Sequence, residues 1–416
     1  MESAPSPVRH SVLVGQTLRA FATPGFWRIW TGSMYWYSAR WMEVFVLQWQ
    51  ILVLTNSAFL VVLVGFFRML PMLAFGLVSG LIADRVDRRT LLLWAQLVNA
   101  SAAAGIAVLA LTEHLELWHL AVLVTMLGVG WTLDLPTRRS FMYDLMGPRG
   151  VVNALALDNI GMDGAKMMGP IAGGLLWPMI GTGGCFVLLS VGYLLTFWLY
   201  LGLPACPPPG AASSGPALRR LAEGLAYVAR SPVILGVLAI TVVANFLGFP
   251  YTNLVPVVAK QVLGLGSQLT GLLFAADGIG ATVAAIYLAS RGDLRREGRV
   301  FAVGSICLIA CVLLLSFSQW FPLSFALLLV VGAGNACFST LQSSLILISA
   351  SDAMRGRAMG TLILAIGFGP LGAFQIGVLA SALGAPLAIT VTAGLGLLCM
   401  GPIVWKATGL WNFRTD

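Results

Sequence analysis

Polar side chains recur at helical spacing inside an apolar stretch near the start of the chain. Trp36, Arg40, Glu43 and Gln50 follow one another at steps of four, three and seven residues, which places them on one face of a helix. Arg40 and Glu43 can neutralise each other as an i,i+3 pair. A carboxylate buried in apolar surroundings can take up a proton near neutral pH, as a proton-coupling site requires. Glu43 is therefore a proton-coupling candidate, and the alternative is an internal salt bridge that serves packing alone.

Further charged residues interrupt later apolar stretches. Asp163 and Lys166 repeat the i,i+3 spacing, whereas we expect Asp134 and Asp277 to lack a partner nearby in the sequence. Ionisable residues within membrane helices are functional by default because they are costly to bury. Asp134 and Asp163 thus join Glu43 as proton-coupling candidates. We interpret Asp277 as structural, because it lies near an expected helix end.

The composition is that of a polytopic membrane protein. Of 416 residues, 58% are hydrophobic and only 10% are charged, against about a quarter charged in soluble proteins. Apolar stretches of about 20 residues, the length that crosses a bilayer, recur about twelve times. We expect spans near residues 30–53, 59–81, 91–111, 119–138, 155–177, 184–203, 233–252, 268–290, 301–318, 322–345, 358–380 and 386–405. The net charge of +8 comes from arginines in short loops, so membrane topology explains it and a nucleic-acid partner is not expected.

The distribution of cations predicts the orientation. With the N-terminus inside, most of the 24 lysines and arginines fall in loops on the same side. Loops rich in Arg and Lys stay cytoplasmic. We therefore expect a multi-pass protein of the cytoplasmic (inner) membrane with both termini in the cytoplasm.

The chain divides into two related halves. A proline- and glycine-rich stretch after residue 203 has the composition of a flexible linker, and Ala217–Arg230 within it alternates apolar and basic residues as a surface helix does. Gly169-Pro170 in the first half has a counterpart at Gly369-Pro370 in the second. We predict an N-terminal half (residues 1–203), a cytoplasmic linker (204–232) and a C-terminal half (233–416). The fold class is all-α, with twelve transmembrane helices in two pseudo-symmetric six-helix halves, the arrangement of alternating-access transporters.

The charged connection between the second and third spans resembles a family signature. Gly-Leu-Ile-Ala-Asp-Arg-Val-Asp-Arg-Arg, residues 80–89, is similar to motif A of the major facilitator superfamily, except that Asp87 stands where the family usually has glycine. The resemblance implies a cytoplasmic latch in which Asp84 accepts hydrogen bonds from the N-terminus of span 11 and pairs with an arginine such as Arg138. A helix N-terminus favours a carboxylate. The latch residues would be Gly80, Asp84, Arg85, Arg88, Arg89 and Arg138.

A second signature lies in the fifth span. Gly169, Pro170, Gly173 and Gly174 resemble motif C of the same superfamily, which marks exporters and especially drug/proton antiporters. Proline bends a helix and the glycines admit a close neighbour. Residues 24–30, 134–144, 153–157 and 355–359 resemble the enterobactin-exporter and macrolide-efflux branch.

The resemblance also implies where the substrate lies, because spans 1, 4, 7 and 10 line the cavity in this superfamily. Aromatic residues with a few amides suit a bulky, largely apolar ligand. The cavity candidates, with the cations that face a substrate, are Trp36, Tyr37, Arg40, Trp131, Lys166, Asn245, Phe249, Asn335, Phe338 and Gln342.

These patterns together predict a secondary transporter rather than an enzyme. The sequence has no P-loop for ATP, and we expect no cofactor and no metal. The main hypothesis is proton-coupled export of a small amphiphilic molecule (a drug, siderophore or secondary metabolite) by a monomer in the lipid bilayer. The alternatives are a metabolite importer or facilitator, and a lipid-translocating or sensory protein on the same scaffold. Substrate charge stays open, because Glu43 and Asp134 favour a cation whereas Arg40 and Lys166 favour an anion.

Overall fold

A computed structural model describes residues 18–83, 86–206, 226–290, 296–351 and 354–411, and within these ranges the chain is helical with no strand. Most of the predicted linker helix Ala217–Arg230 lies outside them, and only residues 226–228 of it are described as helical.

The first half begins with three separate helices: α1 (Phe26–Thr55), α2 (Ala58–Ala83) and α3 (Arg88–Leu111). A long helical stretch, Leu117–Leu201, follows. Gly147 and Gly181 interrupt it, each with φ of 65°, a conformation that glycine adopts without steric cost. The interruptions divide the stretch into α4 (117–146), α5 (148–180) and α6 (182–201).

The second half repeats this plan with two broken crossings. Its seventh crossing consists of four consecutive pieces. These are α7 (Pro232–Val243), a π-helical turn over Ala244–Gly248, a 3-10 turn over Phe249–Asn253, and α8 (Val255–Gln261). Pro370 at the start of α13 cannot continue the preceding helix, so the eleventh crossing is also split. The remaining helices are α9 (Ser267–Ser290), α10 (Glu297–Leu315), α11 (Phe321–Ser349), α12 (Arg355–Ile366), α13 (Gly369–Leu383), α14 (Ala385–Lys406) and the short α15 (Thr408–Trp411).

The predicted fold class is confirmed. In the ranges given above, nine helical segments are long and apolar enough to cross a membrane, and one of them, Asn153–Leu201, is divided at Gly181 into two crossings. Helix α2 contributes a shorter apolar segment over Ala58–Ala74. Helix α1 is not among the nine, since charged and amide side chains lower its mean hydropathy. With α1, α2 and the division at Gly181, the described part of the chain makes twelve crossings.

The two ends of the bundle differ in their contacts. We call the end that carries the connection between the halves the linker end, and the opposite end the far end. At the far end, Lys260 Nζ donates to the carbonyl of Leu52 at 3.1 Å, and Gln261 Nε2 donates to the carbonyl of Asn56 at 3.2 Å. Helices α5 and α9 touch so closely that a Cβ on Gly174 would lie 2.6 Å from the Ser267 carbonyl oxygen. These contacts join the halves and close the far end.

At the linker end, the start of the inter-half connection is attached to the first half. Asp87 caps α3 by accepting from the Thr90 amide at 2.8 Å, and its other oxygen accepts from the Cys206 amide at 2.7 Å. The Cys206 thiol donates to Asp144 at 2.9 Å, and Asp144 also forms an ion pair with Arg88. Motif A has glycine at the position of Asp87, and glycine has no side chain that could make these contacts. In this chain the Asp87 side chain holds the connection against α3.

Candidate transport site

Glu43 lies in the interior of the first half, where its partner is Arg68. Arg68 Nη1 is 2.6 Å from Glu43 Oε1, and the Tyr193 hydroxyl donates to Glu43 Oε2 at 3.0 Å. Glu43, Arg68 and Tyr193 are all buried. The expected i,i+3 pair with Arg40 is therefore replaced by a pair between α1 and α2. Both carboxylate oxygens of Glu43 are occupied, which is the arrangement of a structural ion pair.

A second buried ion pair joins Asp134 and Arg138 within α4. Arg138 Nη2 lies 2.9 Å from Asp134 Oδ2, and Gln96 Nε2 donates to Asp134 Oδ1 at 2.8 Å. The predicted span ended at residue 138, whereas α4 continues to residue 146, so Arg138 lies inside the helix and is fully buried. The helix therefore extends beyond the predicted span, and Asp134 one turn away neutralises Arg138 within it.

The aromatic residues of α1 and α4 pack in the same interior. Trp36 and Trp131 stack with ring centroids 5.4 Å apart, and the Arg138 guanidinium lies 4.6 Å from the Trp36 ring. The Arg40 guanidinium lies over Trp131, and the Tyr37 hydroxyl donates to Asp158 at 2.8 Å. Of these cavity candidates, Trp36 and Arg40 lie on one face of α1, and that face points into the first half.

The opposite face of α1 meets the second half. Phe45 packs edge-on against Phe274 with centroids 6.3 Å apart, and Gln48 Nε2 donates to Asn253 Oδ1 at 3.1 Å. Trp41 lies one turn before Phe45 and so shares this face. It is Trp41, not Trp36, that α1 presents to the space between the halves.

In the second half, the cavity candidates also contact one another. Phe338 lies between Phe249 and Phe301, at centroid distances of 5.2 and 5.6 Å. Gln342 Nε2 donates to the Thr241 hydroxyl at 2.7 Å, and Asn245 Nδ2 donates to the Thr241 carbonyl at 2.9 Å. Phe338 and Gln342 are buried and belong to the packing of that half. Asn335 is partly buried on α11.

The charges that face between the halves are on α5 and α9. Lys166 Nζ lies 2.5 Å from Asp277 Oδ2 across the interface, with only 15% and 9% of the two side chains exposed. Lys166 also lies 5.8 Å from the centre of the Trp41 ring. Asp163, one turn before Lys166, is partly buried and makes no hydrogen bond or ion pair within the part of the chain that the structure describes. Lys166 is therefore paired with Asp277, an unexpected carboxylate, and not with its i,i+3 neighbour Asp163.

This site marks the limit of the contact between α5 and α9. From Lys166 toward the far end, Gly174 and Pro170 touch Ser267 and Gly271. On the same face of α5, Asn159 is exposed, two turns nearer the linker end. The ion pair therefore lies at the end of the close contact between α5 and α9 that is nearer the linker end.

A family model described as transmembrane secretion effector matches residues 16–410. The chain belongs to this family of the major facilitator superfamily. The enterobactin exporter EntS of Escherichia coli O1:K1 / APEC is 25% identical over 329 residues, which cover 79% of this chain and 78% of that protein. The protein is therefore a multi-pass membrane protein of a transporter family.

Solved transporters of this superfamily share the fold of this member. A bacterial homologue of the human lysosomal transporter Spinster, inward-facing and occupied, aligns over 99% of this chain and 100% of its own with a TM-score of 0.73 and 14% identity. A point mutant of the nucleoside transporter NupG aligns over 92% of this chain and 99% of its own, with a TM-score of 0.73 and 13% identity. At such identities the likeness concerns the fold alone.

Motif C of this family member has two distinct faces. A Cβ on Gly169 would lie 2.6 Å from the Trp41 Cβ, and a Cβ on Gly173 would lie 2.9 Å from Phe45 Cδ1. Both glycines therefore allow α1 to pack closely against α5 within the first half. Gly174 instead lies against α9 of the second half, and the Pro170 carbonyl packs against Gly271 of the same helix. The corresponding glycines of α13 also face two ways. Gly372 packs against the Phe246 backbone of its own half, and Gly377 packs against Val62 on α2 of the first half.

Motif A is described only in part. Asp84 and Arg85 lie outside the described residues, and of Gly80 only the helical backbone is described. Arg88 pairs with Asp144, and Arg89 donates to the Leu201 carbonyl. Both arginines therefore fasten the linker end of the first half. The pairing of Asp84 with Arg138 stays a prediction, although Arg138 is already paired with Asp134.

The sequence analysis missed Asp277 as the partner of Lys166 and Arg68 as the partner of Glu43. Asp277 is ten residues into α9, so its assignment to a helix end was wrong, and the predicted span 268–290 already had it well inside the helix. Arg68 had a usable signal, since it is a single cation near the middle of an apolar span and needs a carboxylate from another span.

Proposed function

We propose that this protein exports a small amphiphilic molecule across the cytoplasmic membrane in exchange for protons, with the linker end in the cytoplasm. Membership of the transporter family supports transport, and the motif C glycines and the similarity to EntS support export. The observation that carries proton coupling is the position of Lys166, which pairs with Asp277 across the interface. Asp163 of its own helix has no ion-pair partner in the part of the chain that the structure describes.

Lys166 has two carboxylates in reach, so a proton can decide which one it binds. Asp163 is its i,i+3 neighbour on α5, a spacing at which oppositely charged side chains meet. A proton on Asp277 removes the charge that holds Lys166 across the interface, and Lys166 then turns to Asp163. Loss of that proton returns Lys166 to Asp277. The groups facing this exchange are Asp163, Lys166, Asp277 and the buried Tyr251 near Asp277.

The direction of transport follows from the two ends. In the present state the far end is closed by Lys260 and Gln261, whereas Asn159, on the face of α5 that carries Lys166, is exposed toward the linker end. Arginines and the lysine near the linker end (Arg28, Arg88, Arg89, Arg230, Arg296, Arg299 and Lys406) are typical of a cytoplasmic surface. This state would load a substrate from the cytoplasm and release a proton there, as an exporter driven by proton entry must.

The proposal is tested in inside-out vesicles with an imposed pH gradient. A panel of fluorescent amphiphiles that includes cations, anions and neutral molecules serves as substrate probe. We expect gradient-dependent accumulation of at least one probe by the wild type, and Asp277→Asn to abolish the dependence on the gradient while exchange of probe without a gradient persists. Glu113→Gln, a change at an exposed carboxylate of the far end, is the matched control and should behave as wild type.

Two results would overturn this assignment separately. If no probe of the panel accumulates under a gradient, the exporter proposal fails. If probes accumulate but Asp277→Asn keeps its full dependence on the gradient, export stands and the coupling residue is wrong.

A further inference from the structure

The site between the halves has a surplus of negative charge. Asp163 and Asp277 are carboxylates and Lys166 is the single ammonium among them, so one carboxylate charge is not neutralised by its neighbours. Lys166 is engaged with Asp277 at 2.5 Å, which leaves Asp163 as the uncompensated group. Among the described residues, moreover, no hydrogen-bond donor reaches the buried Asp277 Oδ1. An unpaired carboxylate at this depth is costly, and the cost is relieved when a cation binds.

The cations that neutralise the other buried carboxylates cannot reach this site. Arg68 is bonded to Glu43 and Arg138 to Asp134, both inside the first half. Arg40 lies over Trp131 on the face of α1 that points away from the second half. The cationic side chains of the first-half interior and the anionic site between the halves are therefore separated by α1 itself.

The surroundings of Asp163 suit the apolar part of a ligand. Trp41 borders the site, since the Lys166 ammonium lies 5.8 Å from its ring centre. Met34 lies two turns before Trp41 on the same face of α1 and packs against Gly161 of α5. An aromatic ring beside a carboxylate is the combination that binds organic ammonium and other soft cations.

We propose that the inter-half site binds a positively charged amphiphile, with Asp163 as its counter-ion and Trp41 against its apolar part. This inference rests on the proposed function and names its substrate class. It favours the cation over the anion, because Arg40, one of the two cations that favoured an anion, faces the interior of the first half. Lys166, the other, is engaged with Asp277. It also explains exchange: a proton on Asp277 sends Lys166 to Asp163, and the ammonium then takes the place of the cation.

The test is equilibrium binding to the purified full-length protein, without any gradient, using two probes of the same shape and opposite charge. Tetraphenylphosphonium is the cation and tetraphenylborate is the anion. We expect tetraphenylphosphonium to bind more tightly than tetraphenylborate to the wild type. Asp163→Asn should weaken tetraphenylphosphonium binding at least tenfold, Asp163→Glu should restore most of it, and Lys166→Met should strengthen it.

A matched variant separates this site from a general effect on the fold. Asn159→Ala lies on the same face of α5, two turns from Lys166 and away from the ion pair, and should leave cation binding unchanged; thermal melting of every variant checks the fold. Preference for tetraphenylborate, absence of tetraphenylphosphonium binding, or unchanged binding in Asp163→Asn overturns the substrate class. None of these outcomes depends on a gradient, so proton-coupled export is judged by the vesicle experiment alone.

Discussion

At the scale of single residues, the buried charges divide into two groups with different surroundings. Glu43 and Asp134 each have a cation and a neutral hydrogen-bond donor. Asp163 has neither among the described residues. A fully paired buried carboxylate maintains the structure, whereas an unpaired one beside open space is available to a ligand or a proton. The difference lies in the partners and not in the depth of burial.

Glu43→Gln should destabilise the protein, because it leaves the Arg68 guanidinium buried without a counter-charge. Removing one member of a buried ion pair costs about 3–5 kcal/mol. We expect a clearly lower melting temperature in detergent, and partial recovery in the double variant Glu43→Gln/Arg68→Met, in which neither charge is left alone. Glu113→Gln should melt as wild type. Equal melting of Glu43→Gln and wild type would show that the pair contributes nothing to stability.

Asp87→Ala should release the start of the inter-half connection. Partial burial raises the pKa of the Cys206 thiol, Arg88 lowers it, and Asp87 raises it. Loss of Asp87 therefore lowers the thiol pKa, and it also removes a helix cap worth about 1 kcal/mol. With the other five cysteines replaced, Cys206 should react faster with maleimide at pH 7, because the thiolate is the reactive form.

The isosteric change Asp87→Asn separates the charge from the cap. Asparagine caps a helix about as well as aspartate, so Asp87→Asn should raise the labelling rate less than Asp87→Ala. Identical rates in wild type and both variants would mean that Asp87 does not hold Cys206.

Sequence alone indicated only that Asp87 departs from motif A. Its function depends on Cys206, 119 residues away, and no local pattern reveals such a partner.

At the scale of helices, glycines lie at two of the contacts between the halves, α5 with α9 and α2 with α13. Gly174 meets the backbone of α9, and Gly377 meets the Val62 side chain of α2. The sequence predicted the glycine positions and their close packing, because Gly and Pro at fixed spacing leave a distinct pattern. It did not predict which glycine of motif C faces which half. That assignment depends on the rotation of α5 about its axis, which the neighbouring helices determine.

Gly271→Ala should weaken the closed far end. The added Cβ would lie 2.4 Å from the Pro170 carbonyl oxygen, and overpacking of this kind costs about 1–3 kcal/mol. The equilibrium should shift by about 5- to 150-fold toward a state open at the far end. The measurement is labelling of a Gln48→Cys reporter from the far side, in a background without other cysteines.

Gly164→Ala is the control for this shift, because a Cβ at that position has no neighbour within 4 Å. It should leave the labelling of the reporter unchanged. If Gly271→Ala and Gly164→Ala give the same labelling rate, the contact between α5 and α9 does not govern closure of the far end.

At the scale of the whole molecule, hydropathy and glycine pattern predicted the twelve crossings, because the bilayer allows a chain of this composition little except helices. The candidate site was predicted less well. Asp163 and Lys166 were found from their spacing, while Glu43 and Asp134 were grouped with them although they are paired elsewhere. Periodicity tells which residues share a face, but not which neighbour that face meets.

The orientation of the molecule is a prediction that labelling can check. Glu113→Cys at the far end should react with a membrane-impermeant maleimide on intact cells. Arg230→Cys at the linker end should react only after the cells are permeabilised, because arginine-rich loops stay in the cytoplasm. Reaction of Arg230→Cys on intact cells would reverse the orientation, and with it the direction in which the present state is open.

The ion pair between Glu43 and Arg68 also bears on how the chain enters the membrane during synthesis. Helix α1 carries both Arg40 and Glu43, and the centre of a span that holds such residues inserts at a cost of about 2.5–3.5 kcal/mol for each. The cation that neutralises Glu43 is on α2, which leaves the ribosome directly afterwards. We expect α1 to wait at the insertion machinery for α2, so that the two helices enter the lipid as a hairpin whose charges are already joined.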